Sequence, residues 1–303
     1  MLAARRVMMP TKITSDADAP APVDPRRRRV TLDDIRRMAR AKAPFAMLTA
    51  YDYPTAAAAQ DAGVPSLLIG DSMGSVVLGH ESTRDVPLDL MLMLGEAVRR
   101  GAPHVFLVGD MPYEAMRGGD AAVVAAARRF RDEAGCDAVK IEATGEHAAL
   151  VRSLVSEGVT TVAHLGLRPQ MVESRDQLRA QARDADSIRA LVSDARRLVS
   201  AGAELLLLEA VPNEAASAVV EATDVPVIGC GAGPACHGHV VVTHDMLGVF
   251  GPRVPRFVPV LADLGAEMRR AMEQYVQDIA TRRYPAPQHV YGMRKQPRTD
   301  QPD

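Results

Sequence analysis

VFLVGDMPYEAMRGGDAAVVAAARRFRDEAGCDAVKIE, residues 105–142, holds two short apolar runs separated by a longer amphipathic stretch. Val105 to Val108 and Ala138 to Ile141 have the length and apolar character of buried strands. Ala121 to Ala134 spaces its apolar residues at helical intervals and stops at Gly135, where glycine can take the left-handed conformation that ends a helix. Strand, helix, strand in that order is a βαβ unit, and its two strands must run parallel. Each strand finishes on groups able to do chemistry: Asp110 after the first, Lys140 and Glu142 at the end of the second.

The same alternation extends both ways. Phe45 to Ala50 and Ser66 to Ile69 precede the unit; Thr160 to Ala163, Glu204 to Leu208, Val225 to Ile228 and an eighth candidate, Val240 to Thr243, follow it. Between the fifth and sixth runs, Ser187 to Ala201 reads as a helix closing near Gly202. Seven or eight βα units predict a (β/α)8 barrel, and 303 residues at 47% hydrophobic content suffice for one such core. The barrel is expected over residues 30–293. Met1 to Arg29 mixes Pro, Asp, Ala and an arginine run without periodicity, which predicts a disordered extension, and residues 294–303 predict a flexible tail.

What ends each run carries the functional reading. The first leads to Asp52, the second to Asp71, the third to Asp110, the fourth to Lys140 and Glu142, the fifth to His164, the sixth to Glu209, and the seventh to Gly229, Gly231 and Gly233. Strands of a parallel barrel share one direction, so these residues converge on the face where barrel enzymes do their chemistry. One acid after one strand is ordinarily a helix cap or a loop residue, and that reading is kept for Asp52 and Asp245. Repetition over five strands is not explained that way.

Crowded carboxylates repel, and protonation or a cation must relieve them. Oxygen ligands favour Mg2+, with Mn2+ or Co2+ as substitutes; Cys236, His237 and His239 are too compressed for a zinc site. A metal chelating the carboxylate and keto oxygen of a 2-oxo acid would acidify the adjacent C–H. Lys140, two residues before Glu142 on one strand, points to the same side and serves the substrate carboxylate, the enolate oxygen, or simply a neighbouring acid. A net charge of −2 and a pI near 6.5 give no reason to expect nucleic acid or an anionic membrane as partner. Cys136, Cys230 and Cys236 form neither a disulfide framework nor a CxxC pattern, and no apolar run spans a bilayer; cytoplasmic localisation is the expectation.

With these residues in view, the sequence resembles the ketopantoate hydroxymethyltransferase family from about Val30 to Gly292. The resemblance rests on ordered motifs: MLTAYDY (47–53), IGDSMG (69–74), VGDMP (108–112), VKIE (139–142), HLGLRPQ (164–170), LLEAVP (207–212), IGCGAG (228–233) and THDMLG (243–248). It implies a TIM barrel of the phosphoenolpyruvate/pyruvate-like superfamily. It further implies that Asp71, Asp110 and Glu142 bind Mg2+, that Asp71, Ser72, Asp110 and Lys140 contact a 2-oxo acid, and that Glu209 is the catalytic base. The implied reaction moves a one-carbon unit from 5,10-methylenetetrahydrofolate to 3-methyl-2-oxobutanoate, giving 2-dehydropantoate in pantothenate and coenzyme A biosynthesis. Assembly as a homodecamer or other homo-oligomer is implied too. A base working near neutrality needs a partly desolvated position, which is therefore expected of Glu209. His164 contacts substrate or folate, or is a hydrogen-bonded structural histidine.

The chain also departs from the family pattern. MVESRDQLRAQAR (171–183) stands where the family has a glycine-containing loop, suggesting a helix or a different lid. Arg168 replaces the usual threonine, Met93 and Leu94 a Tyr-His pair, Ala143 a glycine, and His237 and His239 an Asp and a Gln. Two alternatives therefore accompany the family reading: an aldolase or C–C lyase acting on another 2-oxo acid, and a catalytically weak scaffold that binds metabolites or proteins.

Overall fold

A computed structural model describes residues 23–172, 178–249 and 254–293. Eight parallel strands close into a barrel: β1 (Phe45–Thr49), β2 (Ser66–Ile69), β3 (Phe106–Asp110), β4 (Ala138–Glu142), β5 (Thr161–Gly166), β6 (Leu205–Glu209), β7 (Val227–Cys230) and β8 (Gly238–Val241). β8 pairs with β1 through Phe45 opposite Gly238 and Met47 opposite Val240, which removes both sheet edges.

Alternation along the strands sorts their side chains into two cores. Met47, Leu68, Phe106, Val108, Leu205 and Ile228 fill the barrel interior. Ile69, Leu107, Val139, Ala163, Leu206 and Leu208 face outward into the layer of helices. Along β2 to β7 both faces are buried, and this is why those strands read as continuous apolar runs, whereas Ala46 of β1 and His239 of β8 are exposed. The expected helices are present at Asp120–Asp132 and Ala185–Ser200, the second capped by Asp184, whose carboxylate accepts the Ser187 N–H.

Five strands, β3 to β7, run further than the sequence suggests. β3, β4 and β6 include Asp110, Glu142 and Glu209 as their last residues, because ladder pairing continues to the rim: Asp110 lies opposite Lys140, Glu142 opposite His164, and Gly166 opposite Glu209. The functional residues are therefore held by the sheet itself.

Two boundaries are corrected. The arginine run, expected within a disordered extension, is tied down by ion pairs of Arg26 to Asp24, Arg28 to Asp34 and Arg29 to Asp137, with Val23 buried. Residues 1–22 and 294–303 lie outside the described residues. The span 30–293 is also not one body: the chain divides after Thr243, and the barrel belongs wholly to the first unit. The second unit, taken by itself, is built on the helix Leu264–Ala280, which Asp263 caps by accepting the Ala266 N–H. Among the described residues, no helix is long and apolar enough to cross a membrane.

Candidate active site

The rim at the carboxyl ends of β2 to β5 brings Asp71, Asp110, Lys140, Glu142 and His164 together, all of them buried. Lys140 Nζ lies 2.7 Å from Asp110 Oδ1 and 3.2 Å from His164 Nδ1. On the far side of the ring, His164 Nε2 lies 3.3 Å from Glu209 Oε2. Asp110 Oδ2 accepts the backbone N–H of Asp71 at 3.2 Å. One line of polar groups thus crosses four consecutive strands, from Asp110 through Lys140 and His164 to Glu209.

The electrostatics follow from this burial. Desolvation raises the pKa of Asp110 and of Glu142, with the Lys140 ammonium pulling both the other way. Burial opposes the charge on Lys140, but the carboxylates of Asp110, Asp71 and Glu142 outweigh it and keep the ammonium protonated. His164 is driven well below its ordinary range by burial and by Lys140, so its ring is neutral. Desolvation pushes Glu209 up to about 7, against the pull of Lys140, with a fifth of its side chain still exposed. The partly desolvated position expected for a base is present.

Other expected residues are placed differently. Ser72 faces Tyr51, the two hydroxyls 2.8 Å apart. Asp52 is the helix cap it was read as, its carboxylate accepting the Thr55 N–H at 2.7 Å, while Asp245 falls inside the short helix Thr243–Met246 instead of capping one. His237 accepts the Val227 N–H through Nδ1 at 3.0 Å. Residues 173–177 of the segment replacing the family loop lie outside the described residues; residues 178–183 are not helical, and the Gln181 N–H donates to the carbonyl of Ala210.

Sequence reasoning assigned no role to Gln170, the last residue of HLGLRPQ. Its side-chain Nε2 donates to Asp71 Oδ2 at 3.0 Å and to the Met111 carbonyl at 2.9 Å. Its backbone N–H is shared by both oxygens of Glu142, 3.2 Å from each. The signal available in the sequence was position alone: an amide side chain a few residues past a strand whose neighbours end in acids.

Asp71, Asp110 and Glu142 suit a hard cation by chemistry, since all their donors are oxygens and three buried acids face one ammonium. With all three acids ionised, the two negative charges left over would match a divalent ion. In their present rotamers, however, no three Asp, Glu, His or Cys side chains among the described residues converge closely enough to hold a metal. Lys140 and Gln170 occupy some of the oxygens instead.

Comparison with known proteins identifies the family. A sequence model of the family described as ketopantoate hydroxymethyltransferase matches residues 29–287. The chain is 41% identical over 263 residues to the 3-methyl-2-oxobutanoate hydroxymethyltransferase of Geobacillus kaustophilus, covering 87% of this chain and 94% of that one. It is 44% identical over 267 residues to the protein of the same name from Oleidesulfovibrio alaskensis, covering 88% and 92%. Among solved structures, phosphonopyruvate hydrolase in complex with oxalate and Mg++ superposes with a TM-score of 0.60 at 14% identity, covering 86% of this chain and 93% of that one. For 2,3-dimethylmalate lyase, a member of the PEP mutase/isocitrate lyase superfamily, the TM-score is 0.56 at 18% identity, with 82% and 86% covered. These structures share the barrel fold.

Proposed function

Because the chain belongs to the ketopantoate hydroxymethyltransferase family, we propose that it transfers a one-carbon unit from 5,10-methylenetetrahydrofolate to 3-methyl-2-oxobutanoate. With one water consumed, the products are 2-dehydropantoate and tetrahydrofolate, and Asp71, Asp110 and Glu142 hold a divalent cation, Mg2+ first among candidates. An enzyme of the hydroxymethyltransferase type follows from the family itself.

The observation that carries this reading is the line from Glu209 through His164 and Lys140 to Asp110. Glu209, with its pKa near 7, takes the proton from C3 of the oxo acid, and the C–H electron pair passes into the enolate. Lys140, kept cationic by its carboxylate neighbours, lies against the oxo acid's carboxylate or enolate oxygen. His164, neutral, faces Glu209 with Nε2 at 3.3 Å and places a polar ring beside the carboxylate without supplying a competing charge. Ser72, with Tyr51 beside it, offers a hydroxyl to the oxo acid. When bound, the cation contributes Lewis acidity toward the keto oxygen. C3 forms a bond to the methylene carbon; overall, both carbon–nitrogen bonds of the methylene bridge break with their electron pairs staying on nitrogen, water supplies the hydroxyl, and the proton taken by Glu209 and the one released by water go to the two folate nitrogens.

The test is turnover by purified protein given 3-methyl-2-oxobutanoate, methylenetetrahydrofolate and Mg2+, each withheld in turn. The proposal expects all three to be required. Turnover with folate withheld would instead make this an aldolase or lyase, and no turnover with any 2-oxo acid would leave a binding scaffold. Assembly as a homo-oligomer belongs to the same proposal and is read from the mass of the native protein in solution.

A further inference from the structure

We infer that Gln170 and Arg84 act as positioning residues that set the cation affinity of the carboxylate site, an inference that rests on the cation reading above. Gln170 is fully buried and makes contact with two of the three proposed ligands: its side-chain amide reaches Asp71 Oδ2, its main-chain N–H both oxygens of Glu142. These residues come from the ends of β2 and β4, and Gln170 follows β5, so one residue fixes two carboxylates across three strand ends. Each carboxylate would otherwise rotate about its own side-chain torsions. Outer contacts of this kind limit the rotamers that a ligand must search before it closes on an ion, and so raise affinity.

The orientation of the Gln170 amide is determined by its neighbours. Nε2 has two acceptors, Asp71 Oδ2 and the Met111 carbonyl, and a flipped amide would set its oxygen against both. That leaves Oε1 buried with no hydrogen-bond donor among the described residues. A buried carbonyl oxygen without a donor is unfavourable. Mg2+ usually retains several of its waters, and a water carried on the ion is a donor of the kind Oε1 lacks.

Arg84 extends the arrangement to the mouth. Its Nε donates to the carbonyl of Gln170 at 2.8 Å, and its guanidinium lies over the ring of Tyr113, 4.4 Å from the centroid. Arg84 follows β2, Tyr113 follows β3 and Gln170 follows β5, so three loops are joined at the residue that orients the acids. Arg84 touches none of the acids itself and acts through the backbone of Gln170.

The experiment is calorimetric titration of Mg2+ alone into the metal-free full-length protein, as wild type, Gln170→Leu, Arg84→Met and Asp71→Asn. The thermal midpoint of each metal-free variant is recorded alongside. Gln170→Leu is expected to weaken Mg2+ binding by about ten- to a hundredfold, the range for residues that orient metal ligands. Arg84→Met is expected to weaken it by roughly three- to tenfold with an unchanged metal-free midpoint, since a methionine keeps the bulk over Tyr113 and loses only the donor. The Mg2+ concentration for half-maximal turnover should rise by the same factor, with the loss recovered at saturating Mg2+. Unchanged or tighter binding in Gln170→Leu, with binding abolished in Asp71→Asn, would overturn the inference and leave the cation site standing; tighter binding would mean that Gln170 competes with the ion. If Gln170→Leu does not fold, Arg84→Met decides alone. Wild-type protein that takes up no Mg2+ would overturn the site and the inference together.

Discussion

Lys140 Nζ lies 3.2 Å from Nδ1 of His164, and this contact determines which ring nitrogen carries the proton. An ammonium has no lone pair and can only donate, so Nδ1 accepts. The hydrogen of the neutral ring is then on Nε2, 3.3 Å from Glu209 Oε2. In protein labelled with 15N at histidine, the His164 signals should report the Nε2–H tautomer and show no titration around the ordinary histidine value of about 6.5. A signal titrating near 6.5 would remove the neutral histidine from the line.

Glu209 gives the chemistry its pH dependence. With its pKa near 7, a falling pH protonates the base, so exchange of the C3 hydrogen for deuterium should drop about tenfold per unit below 7 and level off above it. Glu209→Gln should slow exchange by on the order of a hundredfold or more while Mg2+ binding is kept, because general-base contributions are of that size. Wild-type exchange in this variant would assign the proton to another group.

The barrel was legible because burial on both faces leaves most strands as runs of apolar residues, and because helices such as Asp120–Asp132 and Ala185–Ser200 are followed within a few residues by Gly135 and Gly202. The rim acids were legible for the same reason: a charge at the end of such a run has nowhere to go but the mouth. What could not be read were contacts made by residues off the strands. Gln170 matters through a side chain that crosses to Asp71 and a backbone N–H that meets Glu142, and no periodicity encodes either. Arg28 and Arg29 looked like part of a solvated charge run because their partners, Asp34 and Asp137, are identified only by the fold.

Asp34 shows what that ordered arginine segment contributes. Its buried carboxylate accepts from both terminal nitrogens of Arg28 at 2.6 and 2.7 Å, from Arg37, and from the N–H and hydroxyl of Thr31 in a capping box. The Arg28 pairing, ahead of the Thr31 and Arg37 contacts, holds its pKa well below the usual carboxylate range. A depressed carboxylate stabilises the fold above its unfolded pKa, about 4, and that stability is lost as the pH falls toward the folded value. Asp34→Asn should therefore cost about 1–3 kcal/mol in denaturant unfolding at pH 7, with the gap from wild type narrowing below about pH 4. A gap of the same size at pH 7 and pH 3 would count against the ionic account.

Gly166 connects the fold to the base. It sits at φ +87° opposite Glu209 in the ladder, and a Cβ added there would stand 2.4 Å from the Glu209 carbonyl oxygen and 2.9 Å from Val211 Cγ1. Both neighbours belong to the backbone and wall that carry the proposed base, so Gly166→Ala must part the ends of β5 and β6 as well as strain its own backbone. Gly119, at φ +81° with nothing within 4 Å of the same added atom, is the control, since Gly119→Ala incurs the backbone strain without the crowding. The control should lose about 1 kcal/mol and keep its C3 exchange rate. Gly166→Ala should lose on the order of 2–4 kcal/mol and also exchange more slowly at saturating oxo acid, because the displaced Glu209 no longer meets the C–H bond squarely. Equal losses in the two variants, with exchange intact in both, would mean that the β5–β6 rim tolerates the methyl group and does not hold the carboxylate in position.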